Sequence, residues 1–108
     1  MSEKPFTLHK ESIDPQIDFI LQEVAFHALS YFGDEIQTHK AIEEMAELIR
    51  ALARGDDPAN IMEEIADCYI MLAQLRQMWV PAKVDAFLNI KIQRLETRIS
   101  LEKRETQQ

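Results

Sequence analysis

Residues 37–69 read QTHKAIEEMAELIRALARGDDPANIMEEIADCY and contain two segments with the pattern of amphipathic helices. In each segment apolar residues recur every three or four positions, which places them on one side of a helix. Between the segments lies RGDDP, residues 54–58, in which the glycine ends one helix and Asp-Pro begins the next. Helices joined by so short a turn pack side by side in opposite directions. This stretch therefore predicts an antiparallel helical hairpin.

Each predicted helix of the hairpin carries two carboxylates three residues apart, Glu44 and Glu47 on the first and Glu64 and Asp67 on the second. That spacing places both members of a pair on one helical face. If the two faces meet, four carboxylates converge, and their mutual repulsion and loss of hydration are costly. A hard divalent cation with oxygen ligands, Mg²⁺ or Mn²⁺ as a substitute, removes that cost. The acidic pairs therefore predict a metal site between the helices.

Composition indicates that the whole chain is all-α. Its 108 residues suffice for one domain, and it has 46% hydrophobic residues but only two glycines and four prolines. We predict one domain over residues 1–108, with an irregular lead-in at 1–13 and a frayed tail at 104–108. Its architecture is predicted to be a four-helix antiparallel bundle. The predicted helices begin at Asp14-Pro15, Glu35, Pro58 and Ala82, and they end near Gly33, Arg54, Met78 and Lys103.

The charge balance and the single cysteine limit the partners and the location of the protein. The formal net charge is −7, which argues against sequence-independent binding to nucleic acid. Cys68 is the only cysteine, so an intrachain disulfide is impossible. No apolar signal segment begins the sequence and no apolar run is long enough to cross a bilayer. We therefore expect a cytoplasmic protein that does not contact membranes.

Basic residues are concentrated late in the chain. Lys91, Arg94 and Arg98 are three and four residues apart, so they form a basic ridge on the predicted fourth helix. The usual interpretation of such a ridge is a solvated outer face, and the alternative is a surface for an anion. Lys40 precedes Glu44 by four residues, which allows either a simple ion pair or a cation beside the metal site.

Several aromatic residues have both a structural and a functional interpretation. Trp79 precedes Val-Pro at the end of the third predicted helix, where packing against the end of the bundle is favoured over stacking on a base. Tyr69 follows Asp67 by two positions and is a weaker candidate for contact with a base. Phe19 and Phe26 lie off the main apolar stripe of the first helix, so they predict a second buried face, against another helix or a second subunit, rather than a ligand wall.

The hairpin motif resembles that of a known enzyme family. It consists of Glu43-Glu44-x-x-Glu47, sixteen intervening residues and Glu64-x-x-Asp67. The same pattern is typical of the all-α nucleoside triphosphate pyrophosphohydrolases, which include MazG-like proteins, dimeric dUTPases and dCTP pyrophosphatases. The resemblance extends over residues 37–99 and is closest to the short single-domain MazG-like proteins of phages and bacteria. In addition, Lys91-x-x-Arg94-x-x-x-Arg98 resembles the basic segment that this family uses on phosphates.

The resemblance implies a reaction and a role for each matching residue. It implies Mg²⁺-dependent hydrolysis of a nucleoside triphosphate, (d)NTP, to the monophosphate and pyrophosphate. The implied metal ligands are Glu44, Glu47, Glu64 and Asp67, and Glu43 is implied to lie outside the ligands or to orient the attacking water. The implied phosphate contacts are Lys40, Lys91, Arg94 and Arg98. Members of the family form dimers or tetramers, often with helices of two subunits completing one site, so we expect a homodimer or homotetramer.

Three other interpretations remain open at this point. A non-catalytic helical assembly module would use its acids for solubility alone and would bind no metal. A di-iron carboxylate bundle normally needs a Glu-x-x-His pair on each of two helices, and neither acidic cluster is followed by histidine at that position. A family member without activity would keep the acidic site and bind a nucleotide or a protein. No motif assigns the preferred base or sugar.

Overall fold

A computed structural model describes residues 9–107, which form four α-helices and no strand. The helices are α1 (Pro15–Phe32), α2 (Asp34–Arg54), α3 (Pro58–Met78) and α4 (Pro81–Thr106). The prediction of an all-α chain with four helices is confirmed. The last helix extends to Thr106, three residues beyond its predicted end at Lys103. The lead-in predicted at 1–13 lies outside the described residues as far as residue 8, as does the last residue of the predicted tail.

Side-chain caps begin two of the helices at the positions that the sequence indicates. The Asp14 carboxylate accepts a hydrogen bond from the backbone N–H of Gln16 at 2.8 Å, and Asp57 accepts one from that of Asn60 at 3.1 Å. A proline follows each of these caps in the first helical turn, where a backbone N–H has no hydrogen-bond partner within the helix and its absence is tolerated.

Gly55 ends α2 and allows the chain to reverse into α3. Its φ of +68° is a left-handed conformation that favours glycine, and its N–H donates to the carbonyl of Leu52 at 3.2 Å. Only three residues, 55–57, separate α2 from α3, so the two helices run antiparallel and pack against each other along their length. This is the hairpin that residues 37–69 predict.

The interior of the chain is made of small side chains. Helix α1 packs mainly on α3 and touches α2 over a short distance. No large side chain among residues 9–107 is completely buried. The buried apolar residues are Ala25, Ala41, Ala51, Cys68, Met71 and Ala73. Because four of them are alanines, the helices approach closely but remove little apolar surface from water.

Helix α4 stands apart from the other three. It contacts only α3, and none of its residues is buried. The radius of gyration is 17.1 Å, whereas a compact domain of this length has a radius of about 13 Å. Within one chain, α4 therefore leaves its apolar side uncovered. The large apolar residues exposed on it are Val84, Phe87, Leu88, Ile90, Ile92, Leu95, Ile99 and Leu101.

Candidate metal site

Three carboxylates meet between α2 and α3. One carboxylate oxygen each from Glu44, Glu64 and Asp67 lies within 4.8 Å of the other two. Glu44 comes from α2 and the others come from successive turns of α3, and all three residues are half-buried. The antiparallel packing thus brings together three of the four residues predicted as metal ligands. These three residues are called the carboxylate cluster below.

Glu47, the fourth predicted ligand, lies beside the cluster but its carboxylate has another partner. Its Oε1 atom accepts a hydrogen bond from Arg50 at 2.7 Å, one turn further along α2. Both side chains of this pair are about half exposed. Glu47 is still near enough to Glu64 for its charge to raise the pKa of Glu64.

The surroundings of Glu64 disfavour its ionised form. Burial raises the pKa of its carboxyl group, and the charges of Asp67, Glu47 and Glu44 raise it further. Among the buried side-chain oxygen and nitrogen atoms of residues 9–107, only the Oε2 atom of Glu64 has no hydrogen-bond partner. A carboxylate oxygen that has lost water and gained no donor is costly. Oxygen atoms in this state suit a hard cation such as Mg²⁺ or Mn²⁺.

Lys40 and Glu43 lie at the exposed edge of the cluster. The Nζ atom of Lys40 is 3.1 Å from Oε1 of Glu43 and 3.8 Å from Oε2 of Glu44. The hydrogen bond to Glu43, together with the negative charges of Glu43 and Glu44, raises the pKa of the Lys40 ammonium group. The structure therefore shows the Lys40–Glu44 ion pair that the sequence allows, and the role of Lys40 as a phosphate contact stays a prediction.

The predicted basic ridge does not join the cluster within one chain. Lys91, Arg94 and Arg98 are exposed on α4, which contacts α3 but not α2. The side-chain charges that shift the pKa of Glu64 all belong to carboxylates. Arg94 instead borders a shallow depression whose lining residues all belong to α4.

Of the two predicted base-contact residues, Trp79 lies far from the cluster in the chain. Trp79 is 71% exposed, so it does not pack against the end of the bundle within this chain, contrary to the favoured interpretation. Trp79 directly follows the end of α3 and is twelve residues beyond Asp67, a distance of about 18 Å along the helix axis. Tyr69 is half exposed. The second buried face predicted from Phe19 and Phe26 is likewise uncovered within the chain.

A groove on α2 adjoins the cluster and was only partly indicated by the sequence. Its lining includes Lys40 and Glu43, which the motif predicted, and three residues that it did not. Of the unpredicted residues, Ile36 and His39 precede Glu43 by seven and four positions on α2, a spacing that places them on the same side of the helix. Phe32 is the last residue of α1, so this spacing does not account for it.

A scan of protein-family models, a search of curated proteins and a search of solved structures each found no match to this chain. The resemblance to the pyrophosphohydrolases therefore rests on the acidic motif itself. Within residues 9–107, no helix combines the length and the apolar character that a membrane span requires.

Proposed function

We propose that this protein is a Mg²⁺-dependent nucleoside triphosphate pyrophosphohydrolase that converts a (d)NTP to the (d)NMP and pyrophosphate. The observation that carries the proposal is the carboxylate cluster, in which the Oε2 atom of Glu64 lacks any hydrogen-bond partner. A cluster of this kind is costly without a cation, and the spacing of its residues is that of the MazG-like motif. The reaction is inferred from the motif. The metal is inferred from the cluster, whose carboxylate oxygens suit Mg²⁺.

Glu44, Glu64 and Asp67 would hold the ion directly, and Glu47 would join them by leaving Arg50. An exposed ion pair within one helix contributes only about 0.3–0.5 kcal/mol. Because the Glu47–Arg50 pair is about half exposed, its loss is a small cost beside the gain from ligating a divalent cation. The pairing of Glu47 with Arg50 is therefore compatible with its predicted role as a ligand.

Hydrolysis needs a water molecule to attack the α-phosphorus while the bond from that phosphorus to the bridging oxygen of the leaving pyrophosphate breaks. When bound, Mg²⁺ supplies charge neutralisation on the phosphates and lowers the pKa of a coordinated water. Glu43 is exposed at the edge of the cluster, where its carboxylate can orient that water and accept its proton. At this edge Glu43 accepts a hydrogen bond from Lys40.

No side chain of the site acts as a covalent nucleophile in this proposal. Cys68 is the nearest candidate, but it is buried and its Sγ atom lies 3.6 Å from the backbone carbonyl oxygen of Glu44. Burial and the neighbouring carboxylates raise the pKa of the Cys68 thiol. Since the thiolate is the reactive form, the thiol is poorly suited to attack phosphorus. Direct attack by water is the better mechanism.

The phosphate contacts require a second copy of the chain. Lys40 supplies one cation beside the cluster, whereas Lys91, Arg94 and Arg98 lie on a helix that is distant from α2 in the same chain. The exposed apolar side of α4 needs a partner, because monomers rarely expose contiguous apolar surfaces of this size. We propose a homodimer or homotetramer in which α4 of one subunit completes the bundle of another and brings its basic ridge to that subunit's phosphates.

The test is to incubate the purified protein with each common NTP and dNTP, with and without Mg²⁺, and to measure monophosphate and pyrophosphate. Glu64→Gln and Asp67→Asn are the test variants, and Glu63→Gln is the matched control because Glu63 is exposed and outside the cluster. We expect metal-dependent release that both test variants lose and the control keeps. A folded protein that releases pyrophosphate from none of the nucleotides would overturn the proposal. Thermal stabilisation by Mg²⁺ without release would instead favour a nucleotide-binding or assembly module that retains the acidic site.

A further inference from the structure

Two glutamines form a buried hydrogen bond between α2 and α3. The Nε2 atom of Gln37 donates to the Oε1 atom of Gln74 at 2.6 Å. Gln37 is 7% exposed and Gln74 is 2% exposed, and they are the only polar residues buried among residues 9–107. The Nε2 atom of Gln74 in turn donates a hydrogen bond to the backbone carbonyl oxygen of Ile70 at 3.4 Å. A long-range polar pair therefore lies among the alanine-rich contacts between α2 and α3, in addition to the carboxylate cluster.

The glutamine pair occupies a defined position relative to the carboxylate cluster. Gln37 precedes Glu44 by seven residues on α2, and Gln74 follows Asp67 by seven residues on α3. Seven residues are close to two turns of helix, so the glutamines and these carboxylates share the same faces of the two helices. The contact between the Cys68 thiol and the Glu44 carbonyl oxygen shows the same alignment at the level of the cluster.

Apolar contacts along α2 and α3 do not by themselves define how the helices align. Burial of alanine is non-directional and tolerates a small slide or rotation of one helix against the other. A hydrogen bond between two buried amides is less tolerant, because a shift that breaks it leaves the Nε2 atom of Gln37 and the Oε1 atom of Gln74 without each other as partners. Single buried polar residues fix the alignment of helices in coiled coils by the same physics.

We propose that the Gln37–Gln74 hydrogen bond sets the alignment of α2 against α3 and thereby positions Glu44 opposite Asp67 for the metal ion. This inference rests on the metal site of the proposed function. The short turn at residues 55–57 prevents a slip by a whole turn, so the glutamines control the fine alignment. Fine alignment matters because metal ligands must be held to within about 0.5 Å of their productive positions. Gln37 and Gln74 are thus positioning residues.

The first test compares Mn²⁺ affinity with stability in the double variant Gln37→Leu/Gln74→Leu, which replaces the amides by apolar groups of similar size. Mn²⁺ binding is measured by electron paramagnetic resonance, and the melting temperature is measured in EDTA. We expect the double variant to melt near the wild-type temperature and to bind Mn²⁺ about tenfold more weakly. The matched control is Gln77→Leu, because Gln77 also donates an interhelical hydrogen bond, but to the Gln22 carbonyl oxygen on α1. The control should lower stability and leave Mn²⁺ affinity unchanged.

A second test reports the alignment without any metal. Nitroxide labels at His39→Cys on α2 and Glu63→Cys on α3, in a Cys68→Ala background, give the distance between two exposed positions on the two helices. We expect one narrow distance distribution with the native glutamines and a broader or shifted one in the double variant. Unchanged Mn²⁺ affinity or an unchanged distribution would overturn the inference. A wild-type protein that binds no Mn²⁺ but shows the expected change in distances would overturn the proposed function and the metal-positioning part of this inference, and it would leave the glutamine pair as the determinant of the helix alignment.

Discussion

The guanidinium group of Arg76 donates two hydrogen bonds to the carboxylate of Asp85, at 2.8 and 2.6 Å, across the junction between α3 and α4. The junction itself is Trp79 and Val80, followed by Pro81 at the start of α4. Because α4 contacts no helix except α3, this bidentate ion pair restricts the direction of α4 relative to α3. In the proposed assembly, the direction of α4 determines which surface it would present to a second copy.

We expect Asp85→Asn to weaken self-association while leaving the helix content unchanged. The ion pair is exposed to solvent at its Asp85 side, so its loss has little effect on the fold of one chain. Without the ion pair, α4 is less restricted in the free subunit and must be ordered during assembly. The free-energy cost of this ordering raises the dissociation constant several-fold. Sedimentation across a range of protein concentrations measures this constant, with circular dichroism as the control. An unchanged dissociation constant would show that the junction is fixed by Pro81 and local packing instead.

Mixing two inactive variants tests whether α4 acts on a neighbouring subunit. One variant is Asp67→Asn and the other is Arg94→Gln. If each site combines the hairpin of one subunit with α4 of the other, a randomly mixed dimer population has about a quarter of its sites intact. We therefore expect activity to return to about a quarter of the wild-type value after the variants are denatured and refolded together. If α4 serves its own chain, no site is intact and activity stays absent.

Removing Arg50 should strengthen metal binding. In the free protein Arg50 holds the carboxylate of Glu47 at 2.7 Å, and this pair must break for Glu47 to reach the ion. Its loss corresponds to about 0.3–0.5 kcal/mol, which is roughly a twofold lower dissociation constant for Mn²⁺. Isothermal titration calorimetry of Arg50→Ala measures the change, and Glu47→Gln should weaken binding in the same assay. Binding that neither variant alters would remove Glu47 from the set of ligands.

Replacing Glu64 should stabilise the metal-free protein at neutral pH. Burial and neighbouring carboxylates raise the pKa of Glu64 in the folded state above its value in the unfolded chain. The folded protein therefore binds the proton more tightly, and the ionised group opposes folding once the pH exceeds its folded pKa. Below the unfolded pKa the group is protonated in both states and the penalty is absent. We expect Glu64→Gln to raise the melting temperature at pH 7 in EDTA and to have little effect below pH 4.

The same variant should lose stabilisation by metal. A wild-type protein at a metal concentration one hundred times the dissociation constant gains about 2.7 kcal/mol, which is a rise of several degrees in melting temperature. Glu64→Gln should show almost none of this rise, whereas Glu63→Gln should show all of it. A wild-type melting temperature that changes with neither Mg²⁺ nor Mn²⁺ would contradict the metal site itself.

The sequence predicted those parts of the structure that depend on local patterns. Asp14-Pro15 and Asp57-Pro58 marked helix starts, because capping and proline geometry act over a few residues. The approach of Glu44 to Glu64 and Asp67 was predictable because the hairpin turn at Gly55 is short.

The parts that the sequence did not predict depend on contacts between distant residues. The apolar stripe of α4 predicts that it is covered but does not identify the covering surface, and no local pattern pairs Arg76 with Asp85 across the junction of α3 and α4. The Gln37–Gln74 pair joins residues thirty-seven positions apart, and amides have no periodicity that distinguishes a buried one from a solvated one. The glutamine pair becomes recognisable only once the alignment of α2 and α3 is known.

The interior of alanines around Cys68 and Met71 has a consequence for any experiment on this protein. A chain that buries so little apolar surface gains only a small part of its folding free energy from its own core. In the proposed homodimer or homotetramer the remainder comes from the copies that cover its outer faces, and that coverage follows mass action. Dilution and unfolding would then be coupled equilibria, so a melting temperature recorded at one protein concentration would describe that solution and not the polypeptide alone.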